Sequence, residues 1–514
     1  MRYPIGIQTF DKIRTDNYVY VDKTAMIYEL AHGSGQYYFL SRPRRFGKSL
    51  LISTMDAYFS GRKELFDGLA IADLETEWTE YPVLRFDFSA KSYTSQLDLE
   101  QQFDKKLSAL EQQYGVENKY TLPDVRFQNL IEGVYKKTGK QVVILIDEYE
   151  KPIVDNLDNP ELMETFRRIM QGFYSVIKGY DQYIRFGFLT GVTKLGKLSV
   201  FSGLNNLQDI SMDARYVGIC GITEGELKSY FGESVAELAQ ANNLNLDECY
   251  KKLAKRYDGY HFKYGAVGIY NPFSLLNVLN QLEFNDYWYA TGTPDFLVRY
   301  LKAGKFKLNN LSNMKASPSL LTGSNYSSPD PVTLMYQAGY LTIVGYDERF
   351  GKYVLDYPND EVRSGFLESL SHVFAPKLVN GEFSADSFVE DICAGDIEGF
   401  MTRFTAFLAD NSYLVQGDLE LYFQNTMSIM LKMMGFYVRT EYYTSNGRID
   451  IVFETDKYVY IIELKRDCDP EAALRQIEEK GYDKPFLASG KEIFKLGINF
   501  SSETRTVDGW KMSR

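Results

Sequence analysis

Tyr37 to Leu51 reads YYFLSRPRRFGKSLL, and the fold turns on the corner at its Gly47-Lys48-Ser49. The residues before it (QYYFLS, 36–41) have the look of a short buried strand. After it, Leu51, Met55 and Tyr58 recur at the spacing of one helix face. A strand, a glycine corner and a helix in this order can build a phosphate loop. Backbone N–H groups and the helix N-terminus converge on anionic oxygens, Lys48 adds a point charge, and the Ser49 hydroxyl holds magnesium. The full pattern GxxxxGK[ST] asks for glycine at position 42, where this chain has Arg42, followed by Pro43, Arg44 and Arg45. Glycine reaches backbone angles closed to arginine, so the loop is expected to follow a different path. Arg42, Arg44 and Arg45 are expected to add positive charge near a triphosphate.

About a hundred residues downstream, KQVVILIDEYEKP (140–152) holds five consecutive aliphatics, as expected of a strand buried on both faces of a parallel sheet. It ends in adjacent carboxylates. Asp147 is placed to help hold magnesium, and Glu148 to polarise a water that attacks the terminal phosphate. YPVLRFDFS (81–89) and YIRFGFLTGVTKL (183–195) supply further strands, and Thr193 and Lys194 after the latter are candidates for the γ-phosphate. Strands alternating with helices over some 200 residues indicate an α/β domain with a mainly parallel sheet. From 222 to about 380 the pattern turns mostly helical, punctuated by YDGYHF and YNPFSLL.

A second chemical pattern stands in GRIDIVFETDKYVYIIELKRD, Gly447 to Asp467, after a helical stretch at 419–436 and before a helix near 470–481. If Asp456 and Lys457 form a two-residue turn, Thr455 faces Tyr458 and Asp450 faces Glu463. Their Cβ atoms then lie about 4.5–5.5 Å apart, and Lys465 shares the face of Glu463. Two carboxylates so close are unfavourable without a cation, and as oxygen ligands they suit Mg²⁺. A metal there activates water, while the lysine neutralises phosphate charge, which is the chemistry of phosphodiester hydrolysis. Glu441 is a candidate further ligand, and Gln476 a candidate to orient water or phosphate.

Composition bounds the rest. A chain of 514 residues calls for several domains, and no apolar run approaches the roughly 18–20 residues that cross a bilayer. The four cysteines and three histidines form no zinc or disulfide pattern, and the N-terminus has no secretory character, so the expected address is cytoplasmic. The net charge is −12, yet residues 1–60 carry eight basic and five acidic side chains and 432–514 fourteen of each. The acidity therefore sits in the middle, which suits a protein partner, while the two ends are better placed to meet phosphates.

The order YPIGIQTFDKIRTDNYVYVDKT, FLSRPRRFGKSLL, VVILIDEYEKPI, FLTGVTKL, YDGYHF and GRIDIVFE…YIIELKRD resembles the bacterial AAA-ATPase-like proteins that end in a PD-(D/E)XK nuclease domain. In that family the loop is commonly RPRRFGKS, so Arg42 reads as a family trait. The resemblance implies an α/β fold: an AAA+ type P-loop domain (1–221) with a mainly parallel sheet, a helical middle region (222–380), and a C-terminal restriction-endonuclease-like α/β domain with a helical lead-in (381–514). It implies ATP and Mg²⁺ as cofactors, with Lys48 and Ser49 matching Walker A, Asp147 and Glu148 Walker B, and Asp450, Glu463 and Lys465 the nuclease triad. Arg44, Arg45 and Gly47 complete the candidate nucleotide site. The expected partner is a nucleic acid, DNA ahead of RNA, with a homo-oligomer and a protein partner at the acidic middle also open and no membrane. The rival reading is a nucleotide-switched regulatory or scaffold protein that binds nucleic acid or a protein without cutting.

Overall fold

The computed structural model describes every residue except 90, 158, 195–205, 289–313, 323–329, 375–384, 410–418 and the side chains of 371–374. The chain divides into two compact units, Met1–Phe296 with Met314–Arg363, and Ser364–Arg514 with Leu297–Asn313.

In the first unit, β1 (Tyr37–Ser41), β2 (Val83–Asp87), β3 (Val142–Asp147), β4 (Ile184–Gly191) and β5 (Leu207–Asp209) form one parallel sheet in the order β2-β3-β4-β1-β5. All six residues of β3 are buried, the consequence of a strand covered on both faces. Helix α1 (Lys48–Phe59) runs directly from the Gly47 corner, and Leu51, Met55 and Tyr58 point inward as their spacing predicts. Helices α2 (Gln96–Tyr114), α3 (Pro123–Thr138) and α4 (Pro160–Gly179) share a core with the sheet, centred on the rings of Phe86, Phe103, Phe127 and Phe173. Parallel strands put their C-terminal ends on one edge, so Ser41, Asp147 and Gly191 meet where β1 hands the chain to the Gly47 loop.

Helices α5 (Glu224–Ala241), α6 (Leu246–Tyr257) and α7 (Pro272–Gln281) form the helical middle, joined through Leu227, Phe231, Leu253, Tyr257 and Leu275, with a two-stranded ladder β6 (Ile222–Thr223) and β7 (Ile269–Tyr270). Side-chain caps at Thr223, Asn245 and Asn271 fix the three helix starts. The middle also carries a small antiparallel sheet that the helical pattern hides: β8 (Met314–Ala316), β9 (Thr342–Asp347) and β10 (Lys352–Asp356), in the order β8-β10-β9, with helices α8 (Pro318–Thr322) and α9 (Pro331–Ala338) between β8 and β9. Strands of three to six residues are too short to show a period-two signal. Helix α10 (Asp360–Phe374) follows β10.

In the second unit, helices α11 (Ala385–Ala394), α12 (Ile397–Ala409) and α13 (Leu419–Met433) precede a mixed sheet of β11 (Val438–Thr444), β12 (Gly447–Glu454), β13 (Tyr458–Arg466), β14 (Glu492–Phe500) and β15 (Val507–Ser513) in sequential order. Only β13 and β14 pair in parallel, linked by helix α14 (Pro470–Lys480). One face buries Ile451, Phe453, Ile462 and Leu464 with Phe404, Phe423 and Met427. The other packs Val459 and Ile461 on Ile477 and Tyr482.

Candidate nucleotide and nuclease sites

Gly47 stands immediately before α1 with φ of 93°, and Arg45 two residues earlier is also left-handed at 65°. The loop thus makes its turn with one glycine and one strained arginine, the strain being held in place by the packing around it. Lys48 is buried. Its Nζ donates to the carbonyls of Arg42 (3.1 Å) and Pro43 (3.2 Å) and lies 3.2 Å from Glu148 Oε1. Asp147, fully buried at the end of β3, accepts from Thr190 Oγ1 (2.6 Å) and from the Ser49 hydroxyl. Burial, and then the adjacent Glu148, raise its carboxyl above the ordinary range. Its second oxygen, Oδ2, is buried with no hydrogen-bond partner. An anionic oxygen left bare beside a serine hydroxyl fits a divalent cation such as Mg²⁺, which takes hard oxygen ligands.

Arg44, Arg45, Lys48, Ser49 and Glu148 border one cavity of about 430 Å³, whose far walls come from the Pro4–Gln8 segment and from Phe273 on α7. A smaller apolar cavity of about 100 Å³ shares Pro4, Phe46, Leu50 and Leu276 with it. The Arg45 guanidinium lies 4.8 Å from the centre of the Phe273 ring.

Arg42 is a correction. Its guanidinium is buried and donates to the carbonyls of Ser41 and Ser211 (2.9 Å each) and Tyr216 (3.1 Å), stacked 3.8 Å from the centre of the Phe262 ring. Burial pulls it down to about 10. It pins β1 to the middle region and contributes no free charge to the cavity. Thr193 and Lys194 also depart from expectation. The Thr193 N–H goes to Glu150 Oε1 (2.7 Å), Lys194 Nζ pairs with Asp209 (2.9 Å), and neither residue borders the cavity.

Sequence reasoning passed over Glu150. Its Oε1 accepts the N–H groups of Val192 (2.6 Å) and Thr193, its Oε2 is buried and unpartnered, and desolvation followed by Glu148 pushes it up to about 8. A Cβ at Gly191 would lie 2.0 Å from that Oε2, so only glycine lets the carboxyl reach the strand end. The third acid of DEYE was the available signal.

In the second unit the register of β12 and β13 is the one expected from a two-residue turn: Glu454 pairs with Val459, Phe453 with Tyr460 and Ile451 with Ile462, and the Thr455 N–H bonds the Tyr458 carbonyl (2.9 Å). Continued by one residue this register would set Asp450 opposite Glu463, but the paired residues end at Ile451 and Ile462. The Leu464 N–H bonds the Asp450 carboxylate (Oδ2, 2.8 Å), while the Asp450 carbonyl accepts from Gln424 Nε2 on α13 (3.2 Å). Glu463 Oε1 accepts from Lys465 Nζ (3.0 Å) and from Gln476 Nε2 on α14, so the structure brings the acid, the lysine and the glutamine together.

Glu463 Oε2 is buried without a partner, and burial, then Asp450, push the group up to about 7. Asp450 is raised as well, by burial first, with the Leu464 N–H and Lys465 opposing and Glu420 on α13 adding to it. A buried acid with a bare oxygen, raised by the half-buried carboxylate beside it, suits a cation. No group of three or more His, Cys, Asp and Glu converges as a metal site among the described residues. Glu441, with φ of 49°, lies in β11 between the pairs Thr440–Ile451 and Tyr442–Ile449 and is paired to Arg448 (3.0 Å).

Residues 4–201 match the family model for a predicted AAA-ATPase, and residues 418–510 match the PD-(D/E)XK nuclease superfamily. The "Uncharacterized protein in vnfD 5'region" of Azotobacter chroococcum mcd 1 is 38% identical over 523 residues, covering 99% of this chain and 98% of that protein. The chain belongs to the AAA-ATPase-like family with a C-terminal PD-(D/E)XK nuclease-superfamily domain. In this AAA-ATPase-like protein the matched segments hold both sites, Lys48, Ser49, Asp147 and Glu148 in the first and Asp450, Glu463, Lys465 and Gln476 in the second. No helix among the described residues is long and apolar enough to cross a membrane.

Proposed function

We propose that the protein binds and hydrolyses ATP in its first unit and that nucleotide state there controls a Mg²⁺-dependent hydrolysis of nucleic acid phosphodiesters in its second. The observation that carries the reading is the buried Glu463, whose Oε1 holds Lys465 and whose Oε2 has no partner, in the field of the half-buried Asp450 carboxylate on the neighbouring strand. When bound, the metal would supply a water of lowered pKa and charge stabilisation for the phosphorane-like transition state.

The chain's own residues do the rest. Asp450 and Glu463 hold the cation. The Leu464 N–H and Gln476 orient the two carboxylates, and Lys465 balances their charge and meets the scissile phosphate. In the first unit, Lys48 binds the phosphates, Ser49 and Asp147 hold magnesium, Glu148 takes the proton from the attacking water, and Arg44 and Arg45 add charge at the cavity wall. DNA is the first substrate class to try, with RNA beside it.

The test incubates the full chain with single- and double-stranded DNA and RNA, with and without Mg²⁺ and ATP. Metal-dependent cleavage abolished in Asp450→Ala and modulated by ATP supports the reading. Cleavage undiminished in that variant, or none under any condition, refutes the nuclease half.

A further inference from the structure

The start of α10 is anchored to Ser274 of α7 and to Tyr287 and Trp288, one step from the residues that border the cavity, and the division between the two units falls inside that same helix, between Arg363 and Ser364. Glu361, its second residue, is buried and uses both carboxylate oxygens. Oε1 accepts the backbone N–H groups of Tyr287 (2.6 Å) and Trp288 (2.7 Å), and Oε2 accepts the Ser274 hydroxyl (2.7 Å). Each oxygen leads to the phosphate loop by a separate path. Through Trp288, the buried indole Nε1 donates to the carbonyl of Arg44, inside the loop and next to the strained Arg45 (3.2 Å). Through Ser274, the neighbouring Phe273 forms part of the cavity wall and lies under the Arg45 guanidinium.

A third tie runs beside these. The α10 N-cap residue Asn359 accepts from the Val362 N–H (3.0 Å) and donates to the carbonyl of Asp258 (2.7 Å). The backbone of Gly259 packs so tightly on Pro358 that a Cβ there would lie 2.0 Å from its carbonyl oxygen. The same turn carries Tyr260 and Phe262, both edge-on to Phe46 of the loop, with centroids at 4.8 and 5.5 Å.

We propose that Trp288 and Glu361, outside the cavity lining, are relay residues that report the conformation of the Arg44–Arg45 backbone to α10 and so pass nucleotide occupancy along the helix that carries the chain into the second unit. The inference rests on the nucleotide reading above and adds its regulation. Phosphates binding the loop N–H groups reorient its peptide planes, and the Arg44 carbonyl turns with them. A buried indole N–H cannot lose its acceptor without a cost of about 1–3 kcal/mol, so Trp288 follows, and its backbone N–H moves Glu361. Packed elements of this kind respond by switching between arrangements and not by gradual bending.

The test measures hydrogen exchange of α10 amides in the full chain with and without ATP, alongside nucleotide affinity from titration with a fluorescent ATP analogue. In wild type, ATP slows or speeds exchange in α10. In Trp288→Phe, which keeps an aromatic ring but removes the indole donor, and in Glu361→Gln, affinity stays within about tenfold while the α10 response falls at least about fivefold. Ser274→Ala, which spares Trp288, gives a partial loss and serves if either of the others fails to fold. ATP binding with no change in α10, or a wild-type response in Trp288→Phe, overturns the relay and leaves the nucleotide site standing. Absence of ATP binding overturns both.

Discussion

Lys48 Nζ lies 3.2 Å from Glu148 Oε1, and Glu148 holds that position with a left-handed backbone, φ of 53°. The cation that would grip the phosphates is thus held by the carboxylate that would activate water, with the Arg42 and Pro43 carbonyls completing its shell. Phosphate binding has to exchange these partners, which ties the placing of the base to the arrival of the substrate.

Glu148→Gln is expected to lower ATP hydrolysis by about 10²-fold or more, the usual worth of a general base, while nucleotide remains bound. Lys48→Ala is expected to lose binding itself. Phosphate release and retention of labelled ATP on the purified protein separate the two effects, and equal hydrolysis in wild type and Glu148→Gln would remove Glu148 from the chemistry.

The loop arginines should divide by role. Arg42→Met strands three buried carbonyls and the face of Phe262, so a loss of roughly 3 kcal/mol is expected in chemical denaturation of the first unit. Arg44→Ala and Arg45→Ala are expected to weaken nucleotide binding with far less effect on stability. Denaturation midpoints and nucleotide titrations of the three variants make the comparison, and an Arg42→Met protein as stable as wild type would contradict the structural role.

Magnesium in millimolar amounts is expected to raise the thermal midpoint of the second unit by a few degrees, because a ligand that binds only the folded site stabilises it by mass action. EDTA should reverse the shift. Glu463→Gln, which removes one of the two neighbouring charges, should abolish it. A shift of the same size in that variant would place the metal elsewhere.

Glu361 sets a pH dependence. Burial is the main cause of its rise from 4.5 to about 7, and Asp286 adds to it. The Trp288 and Tyr287 N–H groups and the Ser274 hydroxyl oppose the rise, and Tyr257 and Tyr260 lie within its field. The folded form holds the proton more tightly than the unfolded one. Its stabilising contribution is therefore complete below about pH 4.5, is lost as pH rises through about 7, and is worth at most about 3 kcal/mol. Thermal midpoints of the first unit should fall across that window in wild type and flatten in Glu361→Gln, and an unchanged slope would assign the titration to another group.

The legible parts of this protein were those that local chemistry writes directly. A run of five aliphatics, mostly β-branched and bounded by polar residues, suits a doubly covered strand, so β3 and the acids at its end were readable from VVILIDE. A two-residue turn has one simplest register, so the pairing of Glu454 with Val459 through Ile451 with Ile462 followed from counting residues. Both rest on interactions between residues close in sequence or bound by a fixed period. The role of Arg42 was not readable, because its partners Ser211, Tyr216 and Phe262 lie more than 160 residues away and a guanidinium looks the same beside a phosphate as beside three carbonyls. Glu150 and Glu361 were hidden for the same reason. A carboxylate in sequence gives no sign of whether it will be solvated or buried against backbone amides, and only the packing of distant segments around it decides which charge state it holds.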